Sequence, residues 1–292
     1  MCPPIVCVPA ACPLQGVPAP VVAGPGVHGA QYECRLRGRA ADTVTSVKTV
    51  GVDLAAEPAK TAVATVAWEH GTATVQELRL GATDPDVVNA VAAADRTGID
   101  APFGWPDAFV DFVGAHHRLE YSRERALSSR AGRLPLVRRL TDRVVHAGTG
   151  IVPLSVSADL IAHVALRCAG LLAELDAVGV DVDRVDGTVV EVYPAAALQG
   201  WGLPFKGYKS AKNREARAAS VAALERALPG LRLGGFRDLC VASDDAFDAV
   251  VAGLVARAAA LGRTVRPDAA QRAVAVREGW IHLPLCGIRE LL

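Results

Sequence analysis

The stretch Val47-Lys48-Thr49-Val50-Gly51-Val52-Asp53-Leu54 decides the fold. Its apolar, β-branched character predicts a buried strand, and Asp53 stands where that strand ends. Downstream, residues 61–68 and 72–80 predict two further strands joined at Glu69-His70-Gly71, completing a three-stranded meander. Residues 84–94 predict a helix, with Thr83 as N-cap and Pro85 in the first turn. Gly98-Ile99-Asp100 follows as a short buried strand, stopped by Pro102.

The second half continues the alternation. Residues 157–178 carry Leu160, Ile161, Val164, Ala165, Leu171, Leu172 and Leu175 at helical spacing, with Ser157 as the expected cap and Gly179 beyond the end. Residues 188–193 predict a strand ended by Pro194. Residues 211–228 and 244–261 predict helices, the latter capped by Ser243. Residues 105–150 are helical and Arg-rich without intervening strands, and are expected to be an insertion. Gly234-Gly235 is expected to be a turn. The expected fold is therefore α/β: a mixed five-stranded sheet, with an antiparallel meander on one side and parallel strands on the other, flanked by helices.

Bulk properties narrow the function classes. The chain has 292 residues, 51% of them hydrophobic, with 31 basic and 31 acidic side chains and a formal net charge of zero. A protein that gripped nucleic acid through its overall field would be basic, so any such contact has to be local. Seven cysteines include no CxxC pair, which argues against a zinc site, and Cys168 and Cys240 are expected to be free buried thiols. Residues 1–45 are rich in Pro, Gly, Ala and Val without period and are expected to be a disordered head, with the native domain starting near Thr45. No stretch has the length and apolarity of a membrane span, and a cytoplasmic protein is expected.

Chemistry concentrates in the acids. Asp53 and Asp100 project from neighbouring strand ends if the first and fourth strands pair in parallel, and ligands gather at such ends. Asp245 and Asp248 are three apart and share a helical face. Each strand-end Asp alone is equally well explained as a turn former, and Asp244 as a first-turn acid favoured by the helix dipole. Together, Asp53, Asp100, Asp245 and Asp248 would repel one another unless cations neutralised them. Mg2+ or Mn2+, as a pair of ions, suits such oxygen ligands and suits phosphodiester hydrolysis. Glu191 lies inside an otherwise buried strand and needs either a salt-bridge partner or a metal.

Two basic stretches could meet phosphate. Residues 118–143 hold eight Arg against Glu120, Glu124 and Asp142, a local sum of +5, and residues 206–217 sum to +4. Solvated helix faces show the same composition. Tyr208 is either a stacking platform for a base or a packing residue. His116, His117 and His282 are expected to be structural or surface histidines rather than ligands.

The ordered pieces Gly51-Val52-Asp53-Leu54-Ala55, Ile99-Asp100-Ala101-Pro102-Phe103-Gly104, Arg139-Leu140-Thr141-Asp142, Glu191-Val192-Tyr193-Pro194-Ala195, Asp245-Ala246-Phe247-Asp248-Ala249 and Glu278-Gly279-Trp280-Ile281-His282-Leu283-Pro284 resemble the family catalogued as domain of unknown function 429, within the ribonuclease H-like superfamily. The Asp245–Ala249 piece also resembles the last acidic helix of Holliday-junction resolvases. The resemblance implies a metal-dependent nuclease acting on DNA or RNA. Asp53 would be the first-strand aspartate, Asp100 the fourth-strand acid, Asp245 or Asp248 the final-helix acid, and Glu191 an assisting group. Lys206, Lys209, Arg139 and Asp142 are the candidate substrate contacts. Two other classes compete. A phosphotransferase of the actin-like or sugar-kinase type would need glycines after the first strand, where Leu54-Ala55-Ala56-Glu57-Pro58 has none. A non-catalytic nucleic-acid-binding or protein-binding member would bind metal without cleavage.

Overall fold

A computed structural model of the protein describes residues 46–121 and 126–292. The expected head, 1–45, lies outside the described residues, as do Arg123, Glu124 and Arg125 of the Arg-rich stretch. Strand β1 (Val47–Asp53) pairs antiparallel with β2 (Ala62–Glu69), which pairs antiparallel with β3 (Thr72–Leu80). The β2–β3 turn is made by His70 and Gly71, both at positive φ, as a two-residue hairpin that follows strand twist requires. Helix α1 (Asp84–Ala92) leads to β4 (Arg96–Asp100), which lies parallel to β1. Strand β5 (Val189–Val192) extends the parallel side.

The sheet has seven strands, not five, in the order β6-β3-β2-β1-β4-β5-β7. Its central β3-β2-β1-β4-β5 run is consistent with the ribonuclease H-like arrangement. The two additions are edge pairs, β6 (Leu231–Arg232) beside β3 and β7 (Ile281–His282) beside β5. Two residues carry no period: Trp280-Ile281-His282 is expected as a short strand without a place in the sheet, and β6 is not expected at all.

The segment 105–150 is helical as expected, in three pieces: α2 (Asp107–His117), α3 (Arg130–Val137) and α4 (Leu140–Thr149). Helix α5 (Ile161–Ala177) begins four residues after the expected cap, because the Ser157 hydroxyl donates to the Leu136 carbonyl at 2.6 Å instead of capping a helix. Helix α6 (Pro194–Gly200) starts directly after β5. Of the expected helix at 211–228, the first turn is 3-10, over Ala211–Asn213, and α7 covers Arg214–Ala227. Gly234–Phe236 forms a 3-10 turn before α8 (Arg237–Ala242). Helices α9 (Asp244–Ala260) and α10 (Ala269–Glu278) complete the order, the latter closed by reciprocal Asp268–Gln271 hydrogen bonds at 2.8 and 3.1 Å.

Two apolar layers enclose the sheet. Val50, Val52 and Ile99 pack with Val87 and Val91 of α1 and Leu171 and Leu175 of α5. On the other face, α9 lies across β1, β2 and β4 and is buried around almost its whole circumference, as the continuous apolar run 249–256 demands. Close approach is possible because Gly51 faces it: a Cβ there would run into the Ala249 carbonyl and the Gly253 amide. Gly98 likewise faces the Ala252 carbonyl. Thr49 fastens the contact, donating to the Gly253 carbonyl at 3.0 Å and accepting from Trp68 Nε1 at 2.8 Å. No helix among the described residues is long and apolar enough to cross a membrane.

Candidate functional site

Strand parity places the acids. Gly51 and Gly98 turn their α-hydrogens toward α9, so residues two further along, Asp53 and Asp100, project on the same face. The β1–β4 register sets Asp53 directly beside Asp100. On α9, Ser243 caps the first turn by accepting from the Ala246 amide at 3.2 Å, and Asp248 follows one turn later, buried, above the two strand ends. Asp53, Asp100 and Asp248 thus share one site. Asp245 stands at its rim, where the Ser243 hydroxyl donates to it at 3.3 Å.

Burial and mutual repulsion push these acids up. The Asp53 carboxyl is held well above its ordinary range by desolvation, then by the Asp248 and Asp100 charges. Asp100 is pushed up to about 7 by desolvation, with Asp248 and Glu191 adding to it and Lys209 opposing it. Asp248 is raised by desolvation, with partial relief from Lys209 and Tyr208. Asp245 is raised by desolvation and by Asp244. Asp53 and Asp100 are half-buried by exposed area. They sit on the floor of a cleft, crowded by protein yet open to solvent from one side.

The Lys209 ammonium enters this cluster. It lies 2.7 Å from Asp248 Oδ2, a charge-assisted contact that both partners feel. Burial would lower the lysine pKa, but Asp248, Asp100 and Asp53 outweigh it and hold the ammonium charged. The loop that delivers Lys209 is clamped. Buried Arg217 donates to the carbonyls of Tyr208 and Ser210 at 2.9 and 3.1 Å and to those of Val241 and Ala242 at 2.9 and 2.7 Å. Asp244 accepts from the Ser210 amide at 3.0 Å. Asp244 therefore anchors a loop, in addition to being the helix-end acid the sequence suggested. Tyr208 is fully buried, stands edge-on to Phe247 and donates to Asp248 Oδ1 at 2.7 Å, so it packs rather than offering a face to a base.

Three expected site residues are engaged elsewhere. On β5, Val190 and Val192 face the α9 layer, so alternation turns Glu191 to the opposite face. There Arg139 holds it at 2.7 and 2.9 Å and the Phe103 amide donates to it at 3.0 Å. Arg139 also pairs with Asp142 at 2.9 Å. All three are buried. Burial alone would lower the Arg139 pKa; its two carboxylate partners raise it instead. Arg139 and Asp142, expected to contact substrate, instead form the counter-ion set of Glu191. The Glu278 carboxylate accepts from the amides of Asp107 and Leu140 at 2.8 and 2.5 Å, its carbonyl from Arg139 at 3.2 Å, and the Thr141 hydroxyl from the Ile281 amide at 2.8 Å. The conspicuous sequence pieces around Arg139, Glu191 and Glu278 therefore meet in one buried polar network behind the acid cluster.

Lys206 is exposed, with its ammonium 5.0 Å from the Phe205 ring centroid. His116 and His117 are exposed. His282 is buried against the Thr264 hydroxyl at 2.8 Å, and burial drives its pKa down to about 3. His116 and His117 agree with the surface reading; His282 is buried in the fold, but its Nε2 has no hydrogen-bond partner among the described residues. Sequence reasoning missed Arg217, whose place in a run of surface-type basic residues gave no sign of burial.

The chemistry of the donor set fits a hard divalent cation: three carboxylates with raised pKa values at one end of the sheet. As they stand, no three His, Cys, Asp or Glu side chains among the described residues are grouped to hold a metal ion, and Lys209 supplies the positive charge among them.

Fold and site together define an α/β protein with a carboxylate cluster at the C-terminal ends of its central parallel strands. The family model described as Protein of unknown function (DUF429) matches residues 51–272, and the chain belongs to this family. The match spans Asp53, Asp100, Asp245 and Asp248. The chain matches none of the curated proteins and no solved structure.

Proposed function

We propose that the protein is a divalent-metal-dependent nuclease that hydrolyses phosphodiester bonds of nucleic acid. The observation that carries this reading is the convergence of Asp53, Asp100 and Asp248 on one face of the strand ends, in a cleft open to solvent. Stable folds rarely gather three like charges without a purpose for them. Asp53, Asp100 and Asp248 would hold Mg2+ or Mn2+, with Asp245 at the rim. The metal would supply charge neutralisation of the phosphate and activation of water. Lys209, already drawn to the carboxylates, is placed to pair with a phosphate oxygen when its acids are otherwise neutralised. Lys206 at the surface adds a second phosphate contact. The Arg139–Glu191–Asp142 network supports the strand end that carries Asp100 from behind.

The test is a Mn2+-dependent cleavage screen over hairpin, junction, hybrid and single-stranded substrates, with Asp53→Asn and Asp248→Asn alongside. Both variants are expected to melt cooperatively and to cleave nothing. Full cleavage by either one removes that residue from the site. Metal binding without cleavage across the panel sinks the nuclease reading.

A further inference from the structure

A cavity of about 470 Å³ opens beside the carboxylates and shares Asp100 and Lys209 with them. That size lies inside the range of about 300–1,000 Å³ typical of small-molecule sites. Its interior differs from the acid cluster: the ion-paired Arg139 and Glu191 reach its wall, and most of the rest is apolar. Ile151 and Ile281 line it with aliphatic surface, and two half-buried aromatic rings, Tyr193 and Phe205, contribute to its wall. Tyr193 directly follows β5, whose Glu191 pairs with Ile99, the residue before Asp100. Phe205 opens the loop that carries Lys206 and Lys209. An apolar, ring-lined chamber thus adjoins the place where a phosphate would sit.

We propose that this cavity takes the base of an unpaired nucleotide in single-stranded nucleic acid, with the adjoining phosphate at the carboxylates and Lys209. The phosphate placement rests on the nuclease reading above; the base placement rests on the cavity. The occupant has to be planar and apolar on its faces to gain from Tyr193 and Phe205, and has to carry an anion at the end that meets Lys209 and Lys206. A nucleotide joins those two properties. Stacking on aromatic rings tolerates every base, so the cavity predicts little sequence preference. A base inside an intact duplex cannot reach it without leaving its stack, so the cavity predicts discrimination against duplex.

The probes are adenosine 5′-monophosphate and ribose 5-phosphate, titrated calorimetrically into the full chain with Mn2+ present. Both are monoesters, so binding is read without diester cleavage. The nucleotide is expected to bind at least about fivefold tighter, the lower end of what one base–aromatic stack contributes. Phe205→Leu keeps apolar bulk and removes the ring; Tyr193→Leu does the same on the other side. Each is expected to reduce the nucleotide preference while leaving ribose 5-phosphate affinity, Mn2+ affinity and Tm near those of the parent. A single-stranded oligonucleotide is expected to displace the nucleotide, and its blunt duplex is not. Equal affinity for the two monoesters overturns the proposal. So does an unchanged preference in both variants, or displacement by duplex as effective as by single strand. Nucleotide preference without cleavage of any diester sinks the nuclease reading and leaves the cavity assignment standing. Cleavage without nucleotide preference does the reverse.

Discussion

Replacing Asp100 by Asn is expected to stabilise the metal-free protein, and to do so only at neutral and alkaline pH. Asp100 accepts no hydrogen bond from a described residue that Asn would forfeit, so the dominant change is loss of a charge. Its carboxyl rises from the ordinary 3.8 to about 7 in the folded chain, first through desolvation and then through Asp248 and Glu191. The folded state therefore binds more protons than the unfolded state between those two values, and stability falls as pH rises through that window. The cost is complete above about 7 and absent below about 4. A shift of about three units is worth at most ~4 kcal/mol at about 1.4 kcal/mol per unit. Solvent reaches this half-buried group, and screening reduces the figure to roughly 1–2 kcal/mol. For a domain of this size that corresponds to a Tm gain of about 3–6 °C. Differential scanning calorimetry of parent and Asp100→Asn in chelator, from about pH 5 to pH 8, reads the effect. The gain is expected to be largest at the alkaline end and to shrink steadily toward acid. A gain that is independent of pH, or a loss at alkaline pH, refutes the claim that the Asp100 charge opposes folding.

Three further outcomes follow, two from the acid cluster and one from the buried network behind it. Mn2+ at about a hundred times its dissociation constant should stabilise the parent by about 2.7 kcal/mol, and Asp53→Asn should abolish that response in thermal melts. Lys209→Ala removes the ammonium facing Asp53, Asp100 and Asp248; its chelated Tm should fall, while calorimetry should show tighter Mn2+ binding than the parent, since metal no longer competes with the lysine. Arg139→Ala leaves Glu191 buried without its cation and should cost about 3–5 kcal/mol in denaturant unfolding. Arg139→Ala together with Glu191→Gln should recover a substantial part of that loss.

Strands of five or more residues announced themselves through apolar runs, and so β1 to β4 and their terminal acids were readable in the sequence. The Ser243 cap and the Asp245/Asp248 spacing likewise located α9 and its acidic face. Glu191 shows where reading stopped short. Its neighbours Val190 and Val192 already stated which face it avoids, and alternation alone separates it from the acid pair. Its partner was harder to see: Arg139 lies 52 residues away, in a stretch whose composition matches a solvated helix. Lys209 was recognisable as a phosphate-seeking residue, but its ion pair with Asp248 depends on Arg217 and Asp244 folding the loop back. Such long-range closure leaves no local pattern. The edge strand β6 is too short to carry one, and Trp280-Ile281-His282 was legible as a strand but not in its pairing with β5.

Gly51 sets a dimension that no acid sets for itself. Because β1 meets α9 through bare backbone at this position, the gap between Asp53 and Asp248 is fixed by the thickness of two main chains. A single added methyl group would wedge the layers apart and widen that gap while every carboxylate stayed in the sequence. A related chain could then keep all four aspartates and still lose the ability to bring them together. Whether a relative has a working site should therefore be judged from the residue two places before its first-strand aspartate as well as from the aspartates.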